Sequence, residues 1–444
     1  LKSFLAIVLG ALFMMAAAFY NGYPIFFSDS HMYMLAGLES YQPMDHPMTY
    51  GYFIKIFSLG NCSLWPVIFI QALMLSWLIF LVVKLVLAGK TLVLKSLITI
   101  FFLSFFTGLS WAASQVMPDI FSPIAFLALF LIVYGNERGI EKVLLYFIFI
   151  ISIAMHMSHV LLFTVIIFLM LLSRKWLVPQ LKGKLFTTNI FALLIVTLGA
   201  IWPMRYTLQN SKSIVFMGAM AEQGILQKYL AEYCPTNNYM FCQYKDSIPD
   251  NGIRFLFDPR SPFNKLGGWT IEMQKECDDI VYGTLTTPKY IGLHIVASVK
   301  ATCKQLYHFD IDDGNWSFMD STGAVYSLIL KYFKGESKQY INSRQSEERF
   351  AGVEFFKTFF RIVETVSALF ILFLLIFRKK LFSGAFKGIS IFFLITVVLN
   401  DWDLSTFSSV TDRYGCKVAW LIPFLAILAV FKLIQAKKSN VTLQ

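Results

Sequence analysis

Three separated stretches carry side chains able to do chemistry. In the first, Asn21 to Tyr33 places Asp29 just ahead of His31 and Tyr33, and Asp45-His46-Pro47-Met48-Thr49-Tyr50 adds an acid, an imidazole and a phenol. The second is Met117-Pro118-Asp119 and the third is Asp412-Arg413-Tyr414. A carboxylate at the edge of an apolar layer is partly desolvated, which raises its basicity toward that of a general base. Ser28-Asp29-Ser30 are equally good N-cap residues, and Pro118-Asp119 suits a helix start with an acid at its positive end, so both readings stand for each acid. Two carboxylates facing one compartment can act as base and partner or hold a divalent cation, the one cofactor this residue set admits. Arg413 can grip a phosphate bidentately while its stem stays in the apolar layer; it can also simply neutralise Asp401, Asp403 or Asp412. His156 and His159, three apart, can share a face and bind phosphate or metal, or serve as polar turn residues. No cysteine spacing resembles a zinc site.

The elements that must position these residues are membrane spans. The 444 residues are 57% hydrophobic and only 15% charged, against about 25% charged in soluble proteins. Apolar runs near the roughly 20 residues of a bilayer-crossing helix recur at about 4–20, 64–83, 96–111, 119–134, 143–155, 160–172, 186–203, 355–377, 388–400 and 416–433. The fold class expected is therefore an all-α polytopic membrane protein of about ten transmembrane helices. The run 4–20 resembles a signal sequence without a cleavage site and reads as a retained first span. Splitting 143–172 at Met155-His156-Met157-Ser158-His159 keeps the basic clusters on one side, as the positive-inside rule asks. Those clusters are Lys84/Lys90/Lys95, Arg174/Lys175/Lys182/Lys184, Arg378/Lys379/Lys380/Lys387 and Lys432/Lys437/Lys438. The formal net charge of +11 is thus a topology signal and gives no reason to expect a nucleic-acid partner. Two large pieces fall outside: the loop 21–63 and a stretch 204–354 long enough for a small domain. The chain divides into an N-terminal membrane module (1–203), that outer domain and a C-terminal membrane module (355–444). Lys300–Tyr307 and Tyr326–Phe333 read as amphipathic, lying on the membrane or facing a core. All six cysteines fall on the outer side, where disulfides form; proximity favours Cys234 with Cys242, and the span ends favour Cys62 with Cys416. Asn61-Cys62-Ser63 and Asn315-Trp316-Ser317 match glycosylation sequons.

With these pieces in order, the chain resembles the GT-C fold glycosyltransferases, integral membrane enzymes that take a sugar from a polyprenyl-phosphate carrier on the non-cytoplasmic face. The matching residues are Pro24, Asp29 and Tyr33 in the first loop, Asp45-His46-Pro47 with Tyr50 leading to the second span, Met117-Pro118-Asp119 before the fourth, and Asp412-Arg413-Tyr414 before the last. The resemblance implies Asp29 as general base on the acceptor, aided by Asp119. It implies Asp45, His46, Tyr50, Arg413 and Tyr414 around the substrates, with Arg413 on the carrier phosphate; His156 and His159, placed by their spacing rather than by the resemblance, would help offset the phosphate charge. The partners it implies are a polyprenyl-phosphate-linked sugar donor, a glycolipid or glycan acceptor and the lipid bilayer, with the bacterial inner membrane as the expected location. The family's second first-loop acid is missing next to Asp29, where Ser30 stands, and no oligosaccharyltransferase-type Trp-Trp-Asp motif occurs. A lipid-linked oligosaccharide polymerase or ligase, a transporter and a membrane scaffold are the competing readings.

Overall fold

A computed structural model describes all residues except 88, 178–183, 312, 315–316, 319–323, 349, 351 and 442–444, and leaves out the side chains of 173–177, 184–187 and 438–441. Lys182 and the Asn315-Trp316 part of one sequon lie outside the described residues, as do the side chains of Arg174, Lys175, Lys184 and Lys438.

The chain begins with α1 (Lys2–Met14) and α2 (Ala16–Asn21), passes through the first-loop helices α3 (Ser30–Leu38) and α4 (Thr49–Phe57), and enters α5 (Trp65–Leu87). There follow α6 (Leu92–Phe106), α7 (Leu109–Ser114), α8 (Phe121–Tyr134), α9 (Ile140–Ala154), α10 (Ser158–Leu177) and α11 (Lys184–Gly199). The middle of the chain forms α12 (Ile201–Glu222), α13 (Ile225–Tyr233), α14 (Gly252–Phe257), α15 (Pro262–Lys265), α16 (Ile271–Thr286), α17 (Pro288–Gln305), α18 (Ala324–Tyr332) and α19 (Ser337–Ile341). It closes with α20 (Val353–Phe377), α21 (Gly384–Phe407), α22 (Asp412–Ala419) and α23 (Leu421–Val441). Among the described residues the one β-type pairing is a parallel bridge between Ile25 and Gln115. Helix is what lipid demands, because each segment then satisfies its own backbone polar groups.

Four helices are long and apolar enough to cross a membrane: Trp65–Leu87, Val353–Phe377, Gly384–Phe407 and Asp412–Lys437. A fifth candidate is Thr188–Gly199 with Ile201–Glu222, bent by 47°. Lys2–Met14, Leu92–Phe106, Pro118–Tyr134 and Ser158–Leu172 are apolar but shorter. At about 1.5 Å of rise per residue, such helices fall below the roughly 30 Å of a hydrocarbon core. Helix length alone therefore supports four to five crossings, fewer than the apolar runs suggest, because several runs break: at Met15 in 4–20, and at Thr107 in 96–111. The expected break in 143–172 is present, between Ala154 and Ser158. Outward apolar side chains such as Ile362, Val366, Leu369 and Phe373 on α20, or Phe4 and Leu5 on α1, are exposed. Such contiguous apolar surface fits a bilayer, and the chain is a membrane protein.

The innermost helix is α8, where every residue from Phe121 to Val133 is buried, as expected for a helix that is apolar all round. Residues 204–354 contribute to more than one hydrophobic core. Those from Ile214 to Tyr290 build a second core of their own, closed by a Cys234–Cys242 disulfide. Val325, Leu328, Ile329, Phe333 and Tyr340 instead join the main core with the first loop. The expected Cys62–Cys416 link is corrected: both are free, Cys62 exposed and Cys416 buried where its Sγ crowds Gly108.

Candidate active site

Asp29 and Asp119 are brought together by a short zipper. The Ile25 amide donates to the Ser114 carbonyl at 3.0 Å and the Val116 amide donates to the Ile25 carbonyl at 2.8 Å. The Ser30 hydroxyl donates to the Val116 carbonyl at 3.0 Å and accepts from the Phe27 amide at 2.9 Å. These bonds lock the turn before α3 onto the segment before Asp119. The back of the same loop is strapped by residues 336–345: Glu336 accepts from the Tyr23 hydroxyl at 2.7 Å and the Leu64 amide at 3.0 Å. Gln345 donates to the Phe26 carbonyl at 2.7 Å and accepts from its amide at 3.0 Å. Helices α3 and α4 then fold on each other through Gly37 and Gly51, so closely that a Cβ on Gly37 would lie 2.1 Å from the Gly51 carbonyl oxygen.

Asp29 occupies the N-cap position of α3 but its carboxylate makes no capping bond. It accepts instead from Arg413 Nη1 at 2.7 Å, across 384 residues of chain. The charges continue in alternation. His46 Nε2 lies 3.5 Å from Asp29 and its Nδ1 2.7 Å from Asp45. Arg413 Nε lies 3.2 Å from Asp119 Oδ2, and Lys417 Nζ 3.4 Å from Asp119 Oδ1. The Arg413–Asp119 contact is ionic without hydrogen-bond geometry, for both Arg413 Nε and Asp119 Oδ2 are buried without a hydrogen-bond partner. The side chains of Asp119 and Lys417 are 2% and 1% exposed, whereas that of Asp29 is 22% exposed. Solvent therefore reaches the array from the Asp29 end.

Helix α22 sets Arg413 and Lys417 one turn apart on one face. Its start is held by Gln305 Oε1, which accepts from the Thr411 amide at 3.0 Å, and Gly415 packs where a Cβ would lie 2.1 Å from the His308 carbonyl. The Arg413 guanidinium lies 4.3 Å from the Phe27 ring centroid and 5.5 Å from that of Tyr414, cation–π contacts that favour charge in a desolvated place. Burial by itself would raise the Asp29 carboxyl, but Arg413, with His46, outweighs it and holds the acid well below the usual carboxylate range. For His46 burial works downward, yet Asp45 and Asp29 push the imidazole up to about 10.

The structure thus gathers Asp29, Asp45, His46, Asp119, Arg413 and Tyr414. Tyr50 stands behind the site, its hydroxyl donating to Gln71 Oε1 at 3.2 Å, and Gln71 in turn donates to the carbonyls of Ala113 and Gln115 at 3.0 and 2.8 Å. His159 is tied up at both nitrogens, Nδ1 2.7 Å from the Ser152 carbonyl and Nε2 2.8 Å from the Ser122 hydroxyl. His156 lies within electrostatic reach of Asp119 and Lys417. Arg413 pairs with neither Asp401, Asp403 nor Asp412 in any ion pair of the described residues. Sequence reasoning missed Lys417, although its spacing of four from Arg413 was the available signal. Tyr33, which the resemblance picked out without a role, has its ring 4.8 Å from that of His46 and its buried hydroxyl without a hydrogen-bond partner. Among the described residues no group of three or more His, Cys, Asp and Glu converges as a metal ion needs. Arg413 stands between Asp29 and Asp119, so these two acids do not present a shared site for the divalent cation that the sequence allowed. No known protein family, curated protein or solved structure matches the chain.

Proposed function

We propose that the protein is a membrane glycosyltransferase, moving a sugar from a polyprenyl-phosphate carrier to an acceptor hydroxyl of a glycolipid or cell-envelope glycan at the outer surface of the membrane. The observation that carries this reading is the N-cap aspartate that does not cap: Asp29 turns from its own helix to Arg413. Burying two acids between two cations beside apolar helices is costly unless it serves a charged ligand. In this reading the chain crosses the bilayer about ten times, the shorter helices being completed by their flanking segments, and Asp29 faces the extracytoplasmic side.

The transfer needs few parts. The acceptor oxygen bonds to the anomeric carbon as its proton passes to an Asp29 oxygen. The bond from that carbon to the carrier phosphate breaks, and its electron pair stays on the phosphate oxygen. Arg413 and Lys417 offset the charge that builds there, in a site already ordered and largely buried. Holding donor and acceptor in line supplies much of the remaining rate.

A second reading has observations behind it. Asp403 and Lys417 are buried in helices long and apolar enough to cross a membrane, and the bent pair 188–222 resembles a broken helix, features that transporters share. A transfer assay with purified protein in lipid separates the two, supplying a panel of polyprenyl-phosphate sugars and following the free carrier. Wild-type protein should release carrier, and Asp29→Asn should lower the rate about 10²- to 10⁴-fold, the usual reach of a general base. Carrier release by Asp29→Asn at the wild-type rate would remove the base assignment, and no release by folded wild type with any donor would favour transport.

A further inference from the structure

The transferase reading leaves a conflict at its centre. A carrier phosphate needs the cations on α22, and both are already occupied by aspartates. Asp29 in turn is held below the usual carboxylate range by the same guanidinium, which makes it a weak base while the pair persists. One rearrangement resolves both difficulties. An anion arriving from the Asp29 end, the more open end of the array, meets the Asp29–Arg413 link first and competes for the guanidinium. Asp29 then has somewhere to go: the Tyr33 hydroxyl, buried without a hydrogen-bond partner, lies within its electrostatic reach, and trading the guanidinium for a neutral donor relieves much of what depresses the carboxyl. Arg413 keeps Asp119 as its second partner and the Phe27 ring beneath it, so it stays in place as Asp29 leaves.

We propose that Asp29 is a latch: its carboxylate occupies Arg413 until the phosphate of the carrier displaces it, and only the displaced carboxylate takes the proton of the acceptor. This deepens the transferase reading and rests on it. Donor binding and base activation become one event, which keeps the base idle when no donor is present. Asp29 accordingly costs the protein affinity for its own carrier, because each phosphate bound must break an ion pair.

Titration of a polyprenyl monophosphate into the full chain, in nanodiscs of neutral lipid, tests this, with polyprenol and inorganic phosphate as separate arms. Asp29→Asn and Asp29→Ser, both confirmed monodisperse and helical, should bind the monophosphate at least tenfold more tightly than wild type. That gain should vanish when either is combined with Arg413→Gln, the coupling expected of residues in direct contact. Equal or weaker binding by both Asp29 variants, with wild-type binding intact, would overturn the latch and leave the transferase reading standing. Wild-type protein that ignores the monophosphate, or binds polyprenol equally well, would overturn both together. Inorganic phosphate competing as strongly as the lipid would overturn the lipid carrier as occupant.

Discussion

His46 shows how much a single side chain reports. Its ring sits between Asp45 and Asp29 with the edge of Tyr33 against it, and its pKa is raised from 6.5 to about 10. A group whose pKa is higher in the folded state stabilises fully below its unfolded value and loses that contribution as pH climbs through the folded value. Thermal stability should therefore fall between pH 6.5 and about 10, and His46→Gln should flatten that slope. An identical slope in the variant would show that the imidazole is not held charged. Asp29 works in the opposite sense: its carboxyl is depressed below 3.8, so its contribution is lost only in strong acid and does not disturb the alkaline window. The pairing of Asp29 was not legible in the sequence. Ser28-Asp29-Ser30 reads equally well as a helix cap, and the choice was made by Arg413, a residue with no local signature of its partner.

Helix α3 carries Tyr33 and α4 follows directly on His46, so their packing sets the site. Here the close approach of Gly37 and Gly51 decides the geometry: a Cβ on Gly51 would lie 2.6 Å from the Gly37 nitrogen and 2.7 Å from the Tyr33 carbonyl, both backbone atoms. Gly51→Ala should destabilise by about 1–3 kcal/mol, the usual cost of overpacking, and should reduce transfer more than stability, since Tyr33 moves with it. Unfolding and transfer both at wild-type levels would mean the hairpin tolerates separation. Helix α22 was half legible: Arg413 was recognisable as a charge beside a span, and Lys417 four residues on was passed over as part of the apolar run. Its role depends on Asp119, which lies on another element.

Over the whole molecule, the described residues gather into two large hydrophobic cores and a smaller third around Ile25, Trp111, Ile311, Phe360 and Cys416. The main one holds most of the membrane helices, the first loop and 325–340; the second spans 214–290 and packs against Phe407 at the end of α21. The Cys234–Cys242 bridge, eight residues apart, lies in the second. Closing so short a loop restricts the unfolded chain by about 2.5 kcal/mol on the loop-entropy account. Reduction should then lower the melting of the 214–290 core by that order while leaving the Asp29–Arg413 array intact. Hydrogen exchange resolved by segment checks this, and loss of protection around Asp29 at the same point would mean the cores unfold as one.

The sequence alone determined whatever is written in neighbouring residues. Hydropathy marked the membrane character, the polar cluster at 155–159 marked the break between α9 and α10, and closeness along the chain marked Cys234 with Cys242. It also named most members of the charged array, because acids, a histidine and an arginine stand out in apolar surroundings. The pairings came from the packing of distant elements: Arg413 with Asp29 and Asp119, Lys417 with Asp119, Cys62 apart from Cys416, Tyr50 and His159 bonded elsewhere. Local pattern reflects solvation and turn geometry, which each residue carries with it. Which distant charges meet is decided by how the helices pack, through contacts such as Gly37 on Gly51 and Gly415 under His308 that no single stretch of sequence contains.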